Sequence, residues 1–173
     1  MAQTEQKNQN VKKQFEELQS LLERAMALQT SMVLFEWDDE TLAPKSAAEY
    51  TARVIGSLSE QYQEILASMR FKELLDVCQK AEKENAGVFD EVQSAILREA
   101  AEEQERLSCI PPEEYRAYAE LTARATGIWT RAREKNDFAS FAPVLKEIIS
   151  YQKKFAAYRA KPGQKLYDVM LDT

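Results

Sequence analysis

At 173 residues the chain has the size of about one domain, and 45% of its residues are hydrophobic while 30% are charged. These fractions are typical of a globular protein and exclude a disordered chain. The net charge of -6 argues against a nucleic-acid partner, because phosphate binding needs clustered Lys and Arg. A polar N-terminus and the lack of any long apolar run argue against a signal peptide or a membrane segment, so we expect a cytoplasmic protein.

The composition also predicts the fold class. With only 4 Gly and 5 Pro, and with Ala, Glu, Gln, Lys and Leu abundant, the chain favours long helices. We therefore predict an all-α fold of long antiparallel helices and helical hairpins. The two cysteines, Cys78 and Cys109, are too few for a disulfide framework and are expected to be small packing residues.

The first helix is predicted from about Asn8 to Glu36. Apolar residues recur along it at alternating spacings of three and four and draw one stripe: Val11, Phe15, Leu18, Leu22, Ala25 and Met32. This stripe fits a helical hairpin or a coiled-coil seam, but an ordinary core-facing helix is the more common source of such a stripe.

A break is predicted at the stretch from Trp37 to Pro44, because Pro44 disfavours helical geometry in the residue before it. Ser46 and Glu49 have the spacing of a capping box, which would start the second helix. The inward face of that helix is predicted to carry Val54, Leu58, Tyr62, Ile65 and Met69. Together these two helices would form a hairpin over residues 8–69.

Further helices are predicted over residues 71–172. The first runs from Phe71 to Glu84 with Leu74, Leu75, Cys78 and Ala81 inward, and Gly87 suits the left-handed position after it. The next spans Val88 to Leu107 through Val92, Ile96 and Ala100, and a third begins at Pro112 and runs to Glu134.

The last two predicted helices complete the chain. Ser140 is expected to cap a helix that carries Pro143 in its first turn and ends near Arg159. After a turn at residues 161–164, an amphipathic segment runs from Leu166 to Asp172. Because it ends without a cap or a polar tail, we expect the chain to be part of something longer.

The chain contains no histidine, and this removes most catalytic templates. A Ser or Cys nucleophile would lack its imidazole partner, and no His-Glu-x-x-His zinc helix is possible. The acids Asp38, Asp39 and Glu40 beside Trp37 could be functional, although adjacent acids at a turn are more often caps and solvated charges.

Two other features are predicted to be structural. Arg133 and Asp137 have the spacing of a surface ion pair. The aromatic residues Tyr115, Tyr118 and Trp129 are expected to pack in the core. From the residues alone, the chain is thus an all-helical domain without a visible active site.

Three stretches resemble the carboxypeptidase Taq family of zinc metallocarboxypeptidases. The family's Trp-Asp-x-x-Thr-x-x-Pro element is matched by Trp37, Asp38, Thr41 and Pro44. A second family stretch, with Asp-Phe-x-x-Phe-x-Pro at its centre, is matched at residues 129–145 by Trp129, Arg133, Asp137, Phe138, Phe141 and Pro143. The residues from Tyr167 to Asp172 also resemble the family's Tyr-Asp-x-Leu-Leu-Asp segment.

The resemblance implies an enzyme that removes single C-terminal residues from peptides, with a helical fold around a deep cleft and commonly a homodimer. Its zinc ligands, two histidines and a glutamate, would lie beyond Thr173. This chain would then hold no cofactor itself, while the full-length protein would bind zinc. It would form a wall or lid of the cleft, its partners being a C-terminal catalytic part and, in the complete enzyme, a peptide substrate. The signature residues would be structural or cleft-lining rather than catalytic or metal-binding.

An alternative is a free-standing, non-catalytic helical interaction module that shares only the family scaffold. The two hypotheses, an enzyme fragment and a free-standing module, predict different amounts of exposed apolar surface. If the chain is a fragment, apolar residues next to its end should be exposed and cause self-association, the candidates being Leu166 to Leu171 with Phe155 and Tyr158. We also expect Trp37 to pack against the first two helices, while Asp38 or Thr41 bonds backbone groups at the turn.

Overall fold

The computed structural model describes residues 2–171, without the side chains of residues 2–5 and 7. Over this range all the regular structure is helical, which confirms the all-α prediction. The helices are α1 (Ala2–Thr41), α2 (Ala48–Ala67), α3 (Met69–Glu84), α4 (Glu91–Ser108), α5 (Pro112–Glu134), α6 (Phe138–Arg159) and α7 (Leu166–Leu171), with a 3₁₀ turn at Lys45–Ala47. None of them is both long and apolar enough to span a bilayer.

The described residues form two compact units. The first comprises residues 2–28 and 62–108, and the second comprises residues 29–61 and 109–171. The chain passes from one unit to the other within α1, again within α2, and a third time after the end of α4. The hairpin over residues 8–69 stays a prediction.

The first unit has a core of large apolar side chains. Phe71, Leu18, Leu74, Leu97 and Cys78 are almost completely buried. The rings of Phe15 and Phe89 also pack together, with centroids 4.9 Å apart. Burying side chains of this size removes much apolar surface from water, at about 25 cal/mol per Å². Burial of these side chains therefore stabilises the unit.

A buried polar residue ties the first unit together. Gln63 has no exposed surface, and its Nε2 donates to the carbonyl of Leu107 at 3.1 Å. Nearby, the Tyr62 hydroxyl donates to Glu103, which also pairs with Arg106 at 2.5 Å. A buried amide with a hydrogen-bond partner avoids the desolvation penalty of an unpaired one. These bonds hold the end of α2 against α4.

On the surface of the first unit, Arg70 binds Glu17 through two bonds of 2.8 and 2.5 Å. The hydrogen bond from the guanidinium lowers the pKa of the Glu17 carboxyl, and the same bond raises the pKa of Arg70. Both groups face solvent, so the pair fixes the register of α1 on α3 more than it stabilises the fold.

The second unit packs α5 against α6 through aromatic and polar contacts. The rings of Tyr118, Tyr151 and Phe155 form a cluster with centroid distances of 5.3 to 5.8 Å. At one side of it, Glu114 accepts bonds from Lys154 at 2.6 Å and from the Tyr158 hydroxyl at 3.1 Å. Small residues fill much of the remaining core: Ala52, Ala125, Ala132 and Ala156. Alanines let helices approach closely but bury little area each.

Some predicted helix boundaries need correction. α1 does not stop at Glu36: it continues through Thr41, and so includes Trp37 and Asp38. The capping box at Ser46 is wrong, because Ser46 lies inside the 3₁₀ turn and α2 begins at Ala48. The serine that does cap a helix is Ser68, at the start of α3, where its side chain accepts the N–H of Phe71 at 3.1 Å.

A capping box does occur at the start of α4, where the sequence analysis placed none. The N–H of Gln93 donates to Asp90 at 2.8 Å, and the N–H of Asp90 donates to the Gln93 side chain at 3.0 Å. Reciprocal bonds of this kind satisfy two N–H groups that a helix start leaves free. α4 therefore begins at Glu91 and not at Val88.

The predicted inward faces of two helices are partly wrong because the starts of helices were misplaced. Met69 and Val92 are exposed, since each lies in the first turn of a helix whose start was misplaced. The inward residues of α3, by contrast, are confirmed: Leu74, Leu75, Cys78 and Ala81 are buried. Gly87 has φ of +99°, as the predicted left-handed position requires, and Pro112 occupies the first turn of α5 as predicted.

We predict opposite effects for two helical glycines of the second unit. A Cβ at Gly56 would lie 2.3 Å from Cγ of Glu120, whose carboxylate binds Arg116 at 3.1 Å. Gly56→Ala should therefore destabilise the protein by about 1–3 kcal/mol, the usual cost of overpacking. A Cβ at Gly127 meets only the end of the Arg131 side chain at 3.6 Å. Gly127→Ala should then stabilise by about 0.5–1 kcal/mol, because Ala favours helix over Gly.

Urea denaturation of the two variants beside the parent measures both effects. Equal changes of the same sign in the two variants would contradict the close approach of α2 and α5 at Gly56.

Candidate functional site

Trp37 and its neighbours form the last turn of α1. The Thr41 hydroxyl donates to the carbonyl of Trp37 at 2.6 Å. Such a bond to the backbone was predicted for either Asp38 or Thr41. Asp38 contributes its backbone carbonyl, which accepts the N–H groups of Leu42 and Ala43 at 2.9 and 2.8 Å. These bonds close the helix just before Pro44, which lies in an extended conformation. The turn is thus held by the backbone and one hydroxyl.

The side chain of Trp37 does not pack as predicted. It is 57% exposed, so it lies outside the core of the second unit. Asp38, Thr41 and Pro44 are exposed as well. The periodicity of α1 explains this position, because Trp37 falls four residues after Val33 and three after Leu34, which are also exposed. The three residues share one outward face of the helix.

The second signature stretch covers the end of α5 and the start of α6. Trp129 is 44% exposed, which corrects the prediction that it packs in the core. The guanidinium of Arg133 lies over its ring at 5.1 Å from the centroid. This cation–π contact on one turn of helix replaces the predicted pairing of Arg133 with Asp137.

Asp137 caps α6, a role that the sequence analysis gave to Ser140. The Asp137 carboxylate accepts the N–H of Ser140 at 3.2 Å, and the Ser140 hydroxyl donates to the Asp137 carbonyl at 3.0 Å. Phe138 follows as the first residue of α6 and is 68% exposed, while Phe141 is half-buried. Pro143 lies inside the helix, beyond its first turn, and is exposed.

A charged cluster that the sequence analysis missed lies between α2 and α5. Arg116 binds Glu60 at 3.0 Å and Glu120 at 3.1 Å. The hydrogen bonds that Arg116 donates to Glu120 and Glu60 raise the pKa of its guanidinium. The i,i+4 spacing of Arg116 and Glu120 is visible in the sequence, but Glu60 is 56 residues away and only the fold brings it there.

The side chains of this chain do not fit a zinc site of the family type. The sequence has no histidine, and among the side chains that the structure describes no three His, Cys, Asp or Glu come close enough to hold a metal ion. Cys78 is completely buried, and desolvation raises the pKa of its thiol to about 11. A protonated, buried thiol is a poor ligand for zinc, which binds the thiolate.

Comparison with known proteins decides the family. The sequence profile of the carboxypeptidase Taq (M32) metallopeptidases matches residues 17–173. The chain belongs to this M32 family. Both signature stretches, at residues 37–44 and 129–145, lie inside the matched range.

Two curated M32 relatives are similar over most of the chain. Carboxypeptidase 1 of Bacillus subtilis is 34% identical over 152 residues, and thermostable carboxypeptidase 1 of Pyrococcus furiosus is 30% identical over 149 residues. These matches cover 88% and 86% of this chain but only 29% of each relative. The chain thus spans less than a third of the curated M32 relatives that it matches.

Solved M32 structures show the same backbone arrangement. The crystal structure of BsuCP aligns with a TM-score of 0.85 at 32% identity, covering 92% of this chain and 31% of that one. The Pyrococcus furiosus carboxypeptidase aligns with a TM-score of 0.67 at 28% identity over the same shares. The fold of this segment is therefore an M32 fold.

We predict that the two signature aspartates differ in their effect on stability. Asp137→Ala removes the side-chain cap of α6 and should cost about 1 kcal/mol. Asp38→Ala leaves the carbonyl that closes α1 in place, and it removes a negative charge from a helix C-terminus, where such a charge is unfavourable. We expect its effect to lie within about 0.5 kcal/mol of zero.

Thermal unfolding of the two variants under identical conditions tests this. A loss at Asp38 as large as that at Asp137 would show that the Asp38 side chain holds the turn after all.

Proposed function

We propose that this chain is the N-terminal, cleft-wall part of a zinc-dependent metallocarboxypeptidase that releases single C-terminal amino acids from peptides. The observation that carries the proposal is the M32 match over residues 17–173. The relatives that the chain matches are named carboxypeptidases, and the match covers 29% of the length of each. The segment has the family fold, and the chemistry of the family belongs to residues outside it.

Zinc, in this proposal, is held by the part of the M32 fold that relatives carry beyond the matched segment. Bound there, the metal would polarise the peptide carbonyl and activate a water. The residues of the present chain would close one side of the cleft and exclude bulk water from it. A cytoplasmic location is part of the same proposal, as the family resemblance implies.

A chimera tests the proposal. This chain would replace the matched segment of Bacillus subtilis carboxypeptidase 1, with which it shares 34% identity. Because the backbone superposes on that of BsuCP with a TM-score of 0.85, we expect the chimera to fold and to cleave a blocked dipeptide in the presence of zinc. Activity should lie within about 100-fold of the parent enzyme, the scale set by small misplacements around an active site.

The chimera needs two controls. Removal of metal by a chelator should abolish the activity, and added zinc should restore it. A second chimera carrying an unrelated helical segment of equal length should be inactive. A chimera that folds with parental helix content but cleaves no peptide, or that does not fold, would contradict the proposed role.

We further propose that the chain self-associates through its α7 end, as in a homodimer. Tyr167 and Leu171 are well exposed there, with Tyr158 and Leu166 partly exposed. Phe155 does not contribute, contrary to the prediction, because it is only 6% exposed and packs on Tyr118. Exposed apolar groups of this kind tend to be buried by association.

Sedimentation velocity at micromolar concentration should therefore show a species larger than a monomer. Tyr167→Asp should shift it towards monomer, because a charge at the centre of an apolar contact is costly. A parent chain that sediments as a single monomer would exclude self-association through α7.

A further inference from the structure

Exposed apolar side chains are distributed unevenly over the molecule. In the first unit the large ones are Met26, Met69, Val77 and Val92. The second unit exposes many more, and the final turns of α1 carry a group of them on one face. We call Val33, Leu34 and Trp37 the Trp37 surface; they are 57%, 60% and 57% exposed.

The spacing of these residues makes them one patch. Trp37 follows Leu34 by three residues and Val33 by four, so the three side chains are neighbours on the helix. Single exposed apolar residues are ordinary, but contiguous ones mark contact sites. The core of the second unit is filled by other residues, among them Ile55, Leu121 and Phe155, so the unit does not use the Trp37 surface for its own packing.

The charges around the Trp37 surface restrict what can cover it. Glu36, Asp38, Asp39 and Glu40 lie in the same turns, and the sequence has no Lys or Arg between Arg24 and Lys45. A partner with acidic residues would be repelled, whereas an apolar face rimmed by Lys or Arg would be complementary.

The comparisons indicate where such a face comes from. The matched segment forms 29% of the curated relatives and 31% of the BsuCP chain. In those proteins the same backbone is joined to a body about twice as large. Trp37 itself also belongs to one of the three stretches through which the sequence resembles the family.

We propose that the Trp37 surface is the docking face for the remaining, catalytic part of an M32 fold, which contacts it through apolar side chains flanked by Lys or Arg. This inference rests on the proposed function. It assigns to Trp37 a role in joining two parts of the enzyme, and none in the folding of the present chain.

The test is a single substitution in two contexts. Ser has nearly the same helix propensity as Trp, so Trp37→Ser changes the side chain with little effect on α1 itself. In the chain alone, where Trp37 is exposed, the thermal midpoint should move by no more than about 1 °C. In the Bacillus subtilis chimera it should fall by about 3 °C or more, and activity should fall at least about tenfold, as for loss of an aromatic anchor.

Val92→Ser in the chimera is the matched control, since Val92 is an exposed apolar residue outside both signature stretches. It should change neither the midpoint nor the activity. A charge variant adds a second readout: Asp39→Lys in the chimera should lower the midpoint, and added salt should reduce that loss.

The outcomes distinguish failure of the docking face from failure of the proposed carboxypeptidase function. An active chimera that is indifferent to Trp37→Ser, or equally sensitive to Val92→Ser, overturns the docking face and leaves the proposed function intact. Loss of self-association by the Trp37→Ser chain, with an unaffected chimera, would assign the surface to a second copy instead. A chimera that is inactive before any substitution contradicts the proposed function, and the docking face with it.

Discussion

The unequal burial of apolar side chains in the two units is the constraint on which the other features of this protein depend. The first unit encloses Phe71, Leu18 and Leu97 completely. The second unit instead buries alanines such as Ala125 and Ala156, and leaves Trp37 and Phe138 largely in solvent. Because stabilisation scales with the apolar area removed from water, the second unit gains less from its own core and has more to gain from further contact.

Polar contacts orient the helices of the second unit without replacing a core. Arg116 bridges Glu60 and Glu120, and Lys154 binds Glu114, but all of these bonds lie near solvent. Exposed ion pairs contribute between about 0 and 1 kcal/mol, so they cannot offset the missing apolar burial. Their value is geometric, since they set the register of α2 on α5 and of α5 on α6.

The sequence predicted what depends on composition and strong local signals. The all-α class, the left-handed Gly87 and the inward face of α3 follow from residue types and their period. The caps were less predictable: Ser46 and Ser140 have the right chemistry, but Pro44 and Asp137 occupy the decisive positions. An error in a helix start then misplaces the residues counted from it, as at Met69 and Val92. The exposure of Trp37 and Trp129 could not be predicted either. An apolar stripe in the sequence does not reveal whether another part of the molecule covers it.

The signature residues of the M32 resemblance thus fall into two physical kinds. Asp137 caps α6 and Thr41 bonds the carbonyl of Trp37, so contacts within the segment account for both. Trp37 and Phe138 are large aromatic residues that remain mostly exposed, and the packing of the segment does not account for them. The first kind fixes the backbone at the helix ends. In the docking role proposed for the Trp37 surface, that backbone would present the second kind to the remaining part of an M32 fold.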